Sequence, residues 1–260
     1  MPGFPWAESL DGLERQWRIP LGKGFPGPTV GRDRVFVVGS EANGGVSVRA
    51  LRRSDGEELW RRDWRSPASV PFFARSHGAW VRSTPAYDGE TLYVGDMLEV
   101  LVALDGETGA ERWRIDFPTE FSVDRPPFGF ASSPLVTHRH LYVQAANALI
   151  KVEERTGRIV WRSADSGNTM ASGGAFSSPI IAELHGVEQV VVFTRPGAGH
   201  RSHGAAGVRH QPTLGGDGGV PDGRGGRRRR RRLQLRLVQR GHGLGGSQVL
   251  KTGQSWAMSP

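Results

Sequence analysis

An eleven-residue segment that ends in tryptophan recurs along the chain, and it constrains the fold more than any other feature. The central copy, residues 103–113, follows the pattern A-x-D-x-x-T-G-x-x-x-W, related copies occupy residues 50–60 and 151–161, and a vestigial copy ends at Trp17. The four terminal tryptophans stand 43, 53 and 48 residues apart. This spacing suits a repeated four-stranded sheet and is too long for a heptad or a short coil. The sequence therefore predicts a repeat protein.

Each repeat contains four short segments that are rich in Val, Leu, Tyr and Trp and are separated by Asp-Gly or Thr-Gly pairs. Such segments are typical of antiparallel strands joined by tight turns. In the central repeat the predicted strands are residues 84–87, 91–94, 100–104 and 111–117.

The spacing of prolines extends this pattern to the neighbouring repeats. A proline stands seven residues before the second predicted strand at Pro28, Pro85 and Pro134, and proline is tolerated near a strand start. We predict one repeat domain over residues 13–195. Its parts are an unpartnered last strand at 15–21, complete blades at 27–65, 83–117 and 132–164, and a partial blade at 177–194.

Composition divides the chain near residue 196. Residues 196–260 hold 12 of the 34 basic residues and 2 of the 26 acidic residues, so this segment carries a net charge of +10 and the first 195 residues carry −2. The segment includes six consecutive arginines, Arg227–Arg232, and little periodic apolar content. Residues 196–260 are therefore predicted to be a disordered, low-complexity tail rich in Gly and Arg.

Three interpretations of this tail follow from its composition. The one we favour is a change of reading frame, because the codons for residues 199–203, read one base later, permit Val-Ile-Gly-Leu-Thr, which suits the strand expected there. The second is a genuine solvated charge run. The third is a basic arm for nucleic acid, which would bind in a strongly salt-dependent way. Nucleic acid is not the partner we expect.

Several classes of protein are excluded by what the sequence lacks. The chain has no cysteine, which excludes disulfides, thiolate metal sites and a cysteine nucleophile. It has no run of 18 apolar residues, so no transmembrane helix is predicted. Its first residues lack the basic start and apolar stretch of a signal peptide. We expect a cytoplasmic protein if Met1 is the genuine start, and otherwise a missing upstream segment.

The tryptophan segment resembles the docking motif of quinoprotein-type (PQQ-like repeat) β-propellers, a family that includes quinoprotein alcohol dehydrogenases and BamB-like outer-membrane assembly lipoproteins. The resemblance covers residues 13–195. It implies an all-β fold, a β-propeller of four-stranded antiparallel blades, in a periplasmic or cell-envelope setting. It also implies a fragment of a propeller of seven or eight blades. The copies depart from the motif at Arg52 and Glu153, which replace its Asp, and at Asp55, which replaces its Thr.

The turn residues and tryptophans of the motif are predicted to be structural. Glycine tolerates the positive φ of a turn before the last strand. The indole that follows can lie between adjacent sheets, where it would remove roughly 150–250 Å² of surface from water. The predicted blade-docking residues are Trp17, Trp60, Trp113, Trp161, Asp105, Thr108, Gly109, Thr156 and Gly157.

The sequence offers little for catalysis. Catalytic members of the family that the chain resembles use an adjacent-cysteine disulfide, a calcium site and an acidic base around the quinone. This chain has no cysteine and no acid in a matching context, so we predict a non-catalytic, protein-binding scaffold with no cofactor. The alternative is a fragment of a PQQ-dependent dehydrogenase, which would use PQQ and calcium. His138 and His140 have the spacing of a metal pair, but no third ligand is near in sequence, and a solvated turn accounts for them.

The connections between blades, at residues 65–82, 118–131 and 165–176, are long and unlike one another. In a propeller these connections emerge at one end, and binding residues are often loops held by a rigid scaffold. Aromatic and arginine side chains are the usual anchors of protein interfaces. We predict that this face binds a protein or peptide, with packing of the side chains over their own blades as the alternative. The candidate residues are Arg75, His77, Trp80, Arg82, Arg125, Phe128 and Phe130.

Overall fold

The computed structural model of the chain describes residues 14–163, 176–184, 187–194, 204–209 and 236–238. These residues form four sheets, each of four antiparallel strands in sequential order. The predicted all-β architecture of four-stranded blades is confirmed.

The strands of each sheet follow one another directly along the chain. The first sheet contains β1 (Thr29–Val30), β2 (Arg34–Ser40), β3 (Gly45–Arg52) and β4 (Glu58–Arg65). The second contains β5 (Ala86–Tyr87), β6 (Thr91–Gly95), β7 (Val100–Asp105) and β8 (Glu111–Asp116). The third contains β9 (Leu135–Val136), β10 (His140–Ala145), β11 (Ala148–Glu153) and β12 (Ile159–Arg162). The fourth contains β13 (Ile180–Leu184), β14 (Val187–Thr194), β15 (Gly204–Arg209) and β16 (Arg236–Val238).

The sheets pack face to face, and the central strands of the second and third sheets are buried on both sides. Successive side chains of a strand point to opposite faces, so one strand serves two interfaces. In β6, Leu92 and Val94 pack against the first sheet, whereas Tyr93 packs against the third. In β10, Val143 packs against the second sheet and Tyr142 against the fourth. The apolar core is therefore a series of layers between neighbouring blades.

The segment 15–21, predicted as a strand, is not paired into a sheet among the described residues. A strand needs a hydrogen-bonded neighbouring strand, and within the described part of the chain none pairs with this segment. Trp17 and Ile19 nevertheless pack against Val35, Val37 and Leu51 of the first sheet. The segment thus fills the place that a preceding blade would occupy.

The fourth sheet extends beyond the partial blade predicted at 177–194. Strand β15 pairs with β14 from Gly204 to Arg209, and β16 pairs with β15 from Arg236 to Val238. Both strands belong to the segment predicted as a disordered tail. Backbone pairing along an open strand edge does not depend on side chains, so the glycines and alanines of β15 gave no strand signal. The other residues of 196–260, and the choice between reading frames, lie outside the described residues.

Two connections between sheets contain short helices that the sequence did not predict. A 3₁₀ helix spans Phe72–His77 between the first two sheets, and α1 (Phe117–Phe121) follows β8 directly. The side chain of Asp116 accepts a hydrogen bond from Thr119 N and so caps α1, whose second residue is Pro118.

Candidate functional site

The first and last residues of each tryptophan motif face each other across a strand pair. A small or flexible residue therefore stands opposite each indole, and the register becomes irregular immediately afterwards. The pairs are Ala50 with Trp60, Ala103 with Trp113 and Lys151 with Trp161.

Each motif tryptophan from the first three copies contacts the turn of the following repeat. A Cβ at Gly109 would stand 2.7 Å from the Trp60 ring, and the Trp60 Nε1–H donates to the Gly106 carbonyl at 3.1 Å. The other two tryptophans repeat this arrangement, with the accepting carbonyl again three residues before the glycine. Trp113 lies against Gly157 and donates to the Glu154 carbonyl at 2.8 Å, and Trp17 lies against Gly56 and donates to the Arg53 carbonyl at 2.9 Å.

The three glycines require both a left-handed backbone and an absent side chain. Gly56, Gly109 and Gly157 have φ of 78°, 71° and 72°, a region that L side chains rarely adopt. We propose that this indole-on-glycine contact holds adjacent blades together.

The Asp105 side chain organises the central turn. Its Oδ1 accepts hydrogen bonds from the Glu107 and Thr108 amides, at 3.0 and 2.8 Å, and from the Thr108 hydroxyl at 2.9 Å. Its Oδ2 accepts from Arg112 at 2.6 Å. The Arg112 hydrogen bond, followed by that from Thr108, lowers the pKa of Asp105 to about 2. The carboxylate therefore stays ionised, and its hydrogen bonds stabilise the conformation of the turn that contains Gly109.

The motif copies of the first and third sheets, which depart from the consensus at the acidic position, stabilise the same turn by other hydrogen bonds and ion pairs. Thr156 Oγ1 donates to Glu153 Oε2 at 2.6 Å in the third sheet. In the first sheet, Asp55 Oδ1 accepts from the Glu57 amide at 3.0 Å, and Asp55 pairs with Arg52. Arg52 in the first sheet, like Glu153 in the third, still accepts the backbone bond from the motif glycine. Glycine and tryptophan thus define the contact, and the acidic position varies.

Trp161 packs with Tyr142 and Leu149 against Val190 and Val192 of the fourth sheet. Its ring centroid is 6.0 Å from that of Tyr142. The turn that it would contact by analogy, between β15 and β16, lies outside the described residues.

Hydroxyl side chains before the first strands of the second and fourth sheets also link neighbouring sheets, and the sequence did not indicate this role. They lie in Ser-Thr-Pro and Ser-Ser-Pro tripeptides. The bonds run from Gly27 N to Thr84 Oγ1, from Ser83 Oγ to the Ser132 carbonyl and from Ser133 N to Ser178 Oγ, at 3.0, 3.0 and 2.9 Å.

The turn between β6 and β7 buries two carboxylates that the sequence did not single out. Asp96 accepts from the backbone amides of Leu98 and Val100 through Oδ1, at 2.8 and 3.0 Å. Its Oδ2 accepts from Trp64 Nε1 of the first sheet at 3.2 Å. Asp96 therefore joins the first and second blades at the end that carries the long connections.

Glu99 joins the second and third blades at the same end. Its Oε2 accepts from the Ala146 amide at 2.8 Å, and its backbone has a left-handed φ of 57°. Burial raises the pKa of Glu99 to about 8 and nearby Asp96 adds to this, whereas the Ala146 bond and the charge of Arg125 oppose it. The equivalent turn positions are Gly44 and Asn147, which adopt left-handed φ more readily. A buried acid in a strained turn is thus specific to the second blade among these three.

Glu99 makes the stability of the fold depend on pH. Its pKa is raised from 4.5 to about 8, so its stabilising contribution is present below 4.5 and lost as the pH rises through about 8. We expect Glu99→Gln, which keeps an acceptor for Ala146, to flatten the fall in unfolding free energy between pH 5 and 9. The difference should be a few kcal/mol at most, since one pKa unit corresponds to about 1.4 kcal/mol.

Urea denaturation at several pH values measures this effect. Glu120→Gln, at an exposed residue of α1, is the matched control and should leave the pH dependence unchanged. An unaltered slope in the Glu99→Gln variant would show that Glu99 is not the titrating group.

Arg82 lies at the centre of an aromatic cluster on the connection end. Its guanidinium carbon is 5.1 Å from the centroid of the Phe25 ring and 5.7 Å from that of Phe128. The Phe128 ring is 5.5 Å from that of Phe176, and Trp80 is 5.9 Å from Phe25. The structure thus brings Trp80, Arg82 and Phe128, three of the candidate binding residues, into one cluster.

The other four candidates divide into exposed and structural positions. Arg75 and His77 are exposed in the 3₁₀ helix. Arg125 pairs with Asp116 at 2.9 Å and donates to the Leu98 carbonyl, which ties the connection after β8 to the β6–β7 turn.

Phe130 was predicted on the binding face, and this placement is wrong because its ring is fully buried. It packs on Phe117, with centroids 6.2 Å apart, and over Gly95, where a Cβ would stand 2.7 Å from the ring. The missing side chain of Gly95 leaves the space that draws this ring inward.

Lys23 and Phe25 also belong to the cluster and were not predicted from the sequence. Lys23 Nζ lies 5.1 Å from the centroid of the Trp80 ring. One signal could have identified Phe25, because Phe25, Arg82 and Phe176 each stand three residues before the proline that precedes a first strand.

The described residues do not form a calcium site. They contain no group of three or more His, Asp or Glu side chains placed to hold a metal ion. Calcium takes six to eight oxygen ligands, and the oxygens of the buried Asp96 are already engaged by Leu98, Val100 and Trp64. This donor set gives no basis for a reaction step through calcium. Within the same part of the chain, no helix has the length and apolar character needed to cross a bilayer.

Among the solved structures compared with this chain, BamB shows a shared fold. BamB from Moraxella catarrhalis aligns with a TM-score of 0.51 and 17% identity, over 74% of this chain and 51% of that one. A europium-containing methanol dehydrogenase aligns with a TM-score of 0.48 and 14% identity, over 73% and 40%. The quinohemoprotein alcohol dehydrogenase from Comamonas testosteroni gives 0.49 and 16%, over 72% and 33%. The chain thus spans about half the length of this BamB and less of the two dehydrogenases.

No curated protein sequence matches the chain at a significant level. A family profile does match: the family described as outer membrane protein assembly factor BamB covers residues 43–211, more than half of the chain. The match includes the second, third and fourth tryptophan motifs and the strands around them. The chain therefore belongs to the BamB-like family of PQQ-repeat β-propellers.

Proposed function

We propose that the chain is a non-catalytic, protein-binding repeat module of the cell envelope, and that the connections between its blades form the binding face. The observation that carries this proposal is a group of exposed aromatic rings at that end. The exposed fractions of Phe25, Phe72, Phe73 and Phe176 are 50%, 80%, 56% and 53%.

These rings lie close together. The Phe72 and Phe73 centroids are 5.6 Å apart, and Phe128 lies 6.5 Å from Phe73 and 5.5 Å from Phe176. A continuous exposed apolar patch with polar surroundings is typical of a protein interaction site. Aromatic rings and arginines supply most of the binding energy in such interfaces.

Hydrogen bonds and buried rings hold the scaffold beneath the patch together. The side chains of Asp96 and Glu99 link neighbouring blades immediately below the connections. Phe117 and Phe130 are fully buried under the same connections. Binding to such a preformed surface would cost little ordering entropy.

The cell envelope is proposed as the location because the matching family is described as an outer membrane protein assembly factor. A partner protein of that compartment is the corresponding expectation.

Site-specific photocrosslinking tests the proposal. A photoreactive phenylalanine analogue at Phe72 should crosslink to a protein in detergent extracts of bacterial envelopes. The same analogue at Arg155, an exposed turn residue between β11 and β12 at the opposite end of the sheets, is the matched control. We expect crosslinks at position 72 and few at 155. Equal crosslinking at both positions, or none at position 72, would contradict the proposed binding face.

A further inference from the structure

Arg82 carries a partly desolvated positive charge, and no acidic side chain of the described residues pairs with it. Its hydrogen bond is to the Gly78 carbonyl at 3.1 Å, and its Nε is buried without a hydrogen-bond partner. Burial lowers the pKa of Arg82, and no other group shifts it. A buried donor without an acceptor is uncommon in native proteins and calls for an explanation.

Arg34 is a buried arginine with only a structural role, and its partners can be compared with those of Arg82. Its guanidinium pairs with Asp33 at 3.2 Å and Glu107 at 2.7 Å, and it donates to the Gly106 carbonyl at 2.8 Å. Arg82 has two aromatic rings where Arg34 has two carboxylates. Rings of Phe25 and Phe128 attract a cation, but they leave its hydrogen-bond donors unused.

Two of the segments that surround Arg82 are positive as well as aromatic, whereas the connection that supplies Phe128 contains Glu120, Asp124 and Arg125. The stretches 20–30 and 66–83, which supply Phe25, Phe73 and Trp80, contain no Asp or Glu. They contain the basic residues Lys23 and Arg75 besides Arg82. Such a combination is complementary to a negatively charged partner with apolar side chains.

We propose that Arg82 binds a carboxylate of an acidic peptide segment, whose neighbouring apolar side chain packs on the exposed rings of Phe25 and Phe73. This inference rests on the proposed protein-binding function and names the chemistry of the partner. A guanidinium held between two rings is already oriented, so it loses little freedom when its planar fork binds a carboxylate. The peptide carboxylate would accept hydrogen bonds from the guanidinium N–H groups of Arg82.

In the alternative role, Arg82 is purely structural and only packs on the rings of Phe25 and Phe128. That role predicts loss of stability when the charge is removed. The proposed role predicts the opposite, because Arg82→Gln removes a desolvated cation without a counter-ion and should leave the melting temperature unchanged or raise it.

Selection from random 12-residue peptides displayed on phage tests the inference on the full chain. We expect enriched peptides to carry more Asp and Glu than the starting library. Arg82→Gln should weaken the binding of the corresponding synthetic peptides at least roughly tenfold, because it removes the charge-assisted hydrogen bonds to the carboxylate. Arg82→Lys should retain part of it, and Arg155→Gln, at an exposed arginine at the opposite end of the sheets, should have a small effect.

The outcomes separate this inference from the proposed function. Enriched peptides without an acidic bias, or with affinity unaffected by Arg82→Gln, would overturn the inference and leave the binding face in place. Peptides that lose affinity only in parallel with a lowered melting temperature would assign Arg82 the structural role. A selection in which no enriched peptide binds the Phe73→Ser variant more weakly than the unchanged chain would count against both the inference and the proposed binding face.

Discussion

The Trp113→Ala variant is expected to lose roughly 3–5 kcal/mol of unfolding free energy, the usual cost of truncating a large aromatic side chain in a core, because the partly buried indole packs against the core between the second and third sheets. The indole packs on Tyr93, donates to the Glu154 carbonyl and covers Gly157 of the next blade. Its removal leaves a cavity between the second and third sheets and an unpaired carbonyl. Urea denaturation followed by circular dichroism measures the loss.

Trp80→Ala is the matched control for this change. Trp80 is half-buried on a connection and lies outside the blade interfaces, next to Phe25 and Lys23. Its removal should cost about 1 kcal/mol or less, as for contacts near a surface. A larger loss for Trp80→Ala than for Trp113→Ala would mean that the motif indole is not the main link between blades.

The second large effect is expected for Gly109→Ala, which should cost roughly 3 kcal/mol, from a left-handed backbone and steric overlap together. Gly109 has φ of 71°, and a Cβ there would stand 2.7 Å from the Trp60 ring. The indole would have to move away from the turn and lose its bond to the Gly106 carbonyl. The variant should also shift the fluorescence emission of Trp60 as its environment changes.

Gly89→Ala separates the two contributions. Gly89 also has a positive φ, of 106°, but a Cβ there would have no atom within 4 Å. This control therefore measures backbone strain alone, which should be about 1 kcal/mol. Equal losses for the two glycines would show that the Trp60 contact adds nothing.

The repeat and its strands could be predicted because they depend on local chemistry. The Asp-Gly and Thr-Gly turns, the alternation of apolar residues and the proline positions together placed the strands of the second sheet within two residues of those observed. These signals repeat, and each copy supports the interpretation of the others.

The binding end was harder to predict because its residues are arranged by contacts between distant segments. Phe130 looks like Phe128 in sequence, yet Gly95, on a strand of the preceding sheet, provides the space that buries it. Phe25 lies far from Arg82 along the chain and meets it only when the first two blades pack. No local pattern contains that information.

Glu99 was missed for a related reason. A glutamate in a hairpin turn is usually solvated, and nothing nearby in sequence indicates burial. The corresponding turn of the third sheet provides the amide of Ala146 and covers the side chain. The strand β15 was missed because it consists mostly of Gly and Ala, and its pairing depends on the open edge of β14.

The distribution of roles along each blade connects the fold with the proposed function. Turns at one end contain the motif glycines and hold the tryptophans. The opposite end carries connections that differ in length, charge and aromatic content from blade to blade. The repeated turns and tryptophans therefore stabilise the fold, and the connections, which differ from blade to blade, form a specific surface.

The central claim is that the motif indoles Trp17, Trp60 and Trp113 each lie flat on the turn glycine of the next blade. Nuclear Overhauser effects between Trp60 and the Gly109 α-protons, and between Trp113 and those of Gly157, test it most directly in a glycine-labelled sample. We predict strong effects for both pairs, with the glycine α-protons shifted upfield by the ring currents. Glycine α-protons at ordinary chemical shifts, with no contact to either indole, would contradict the claim.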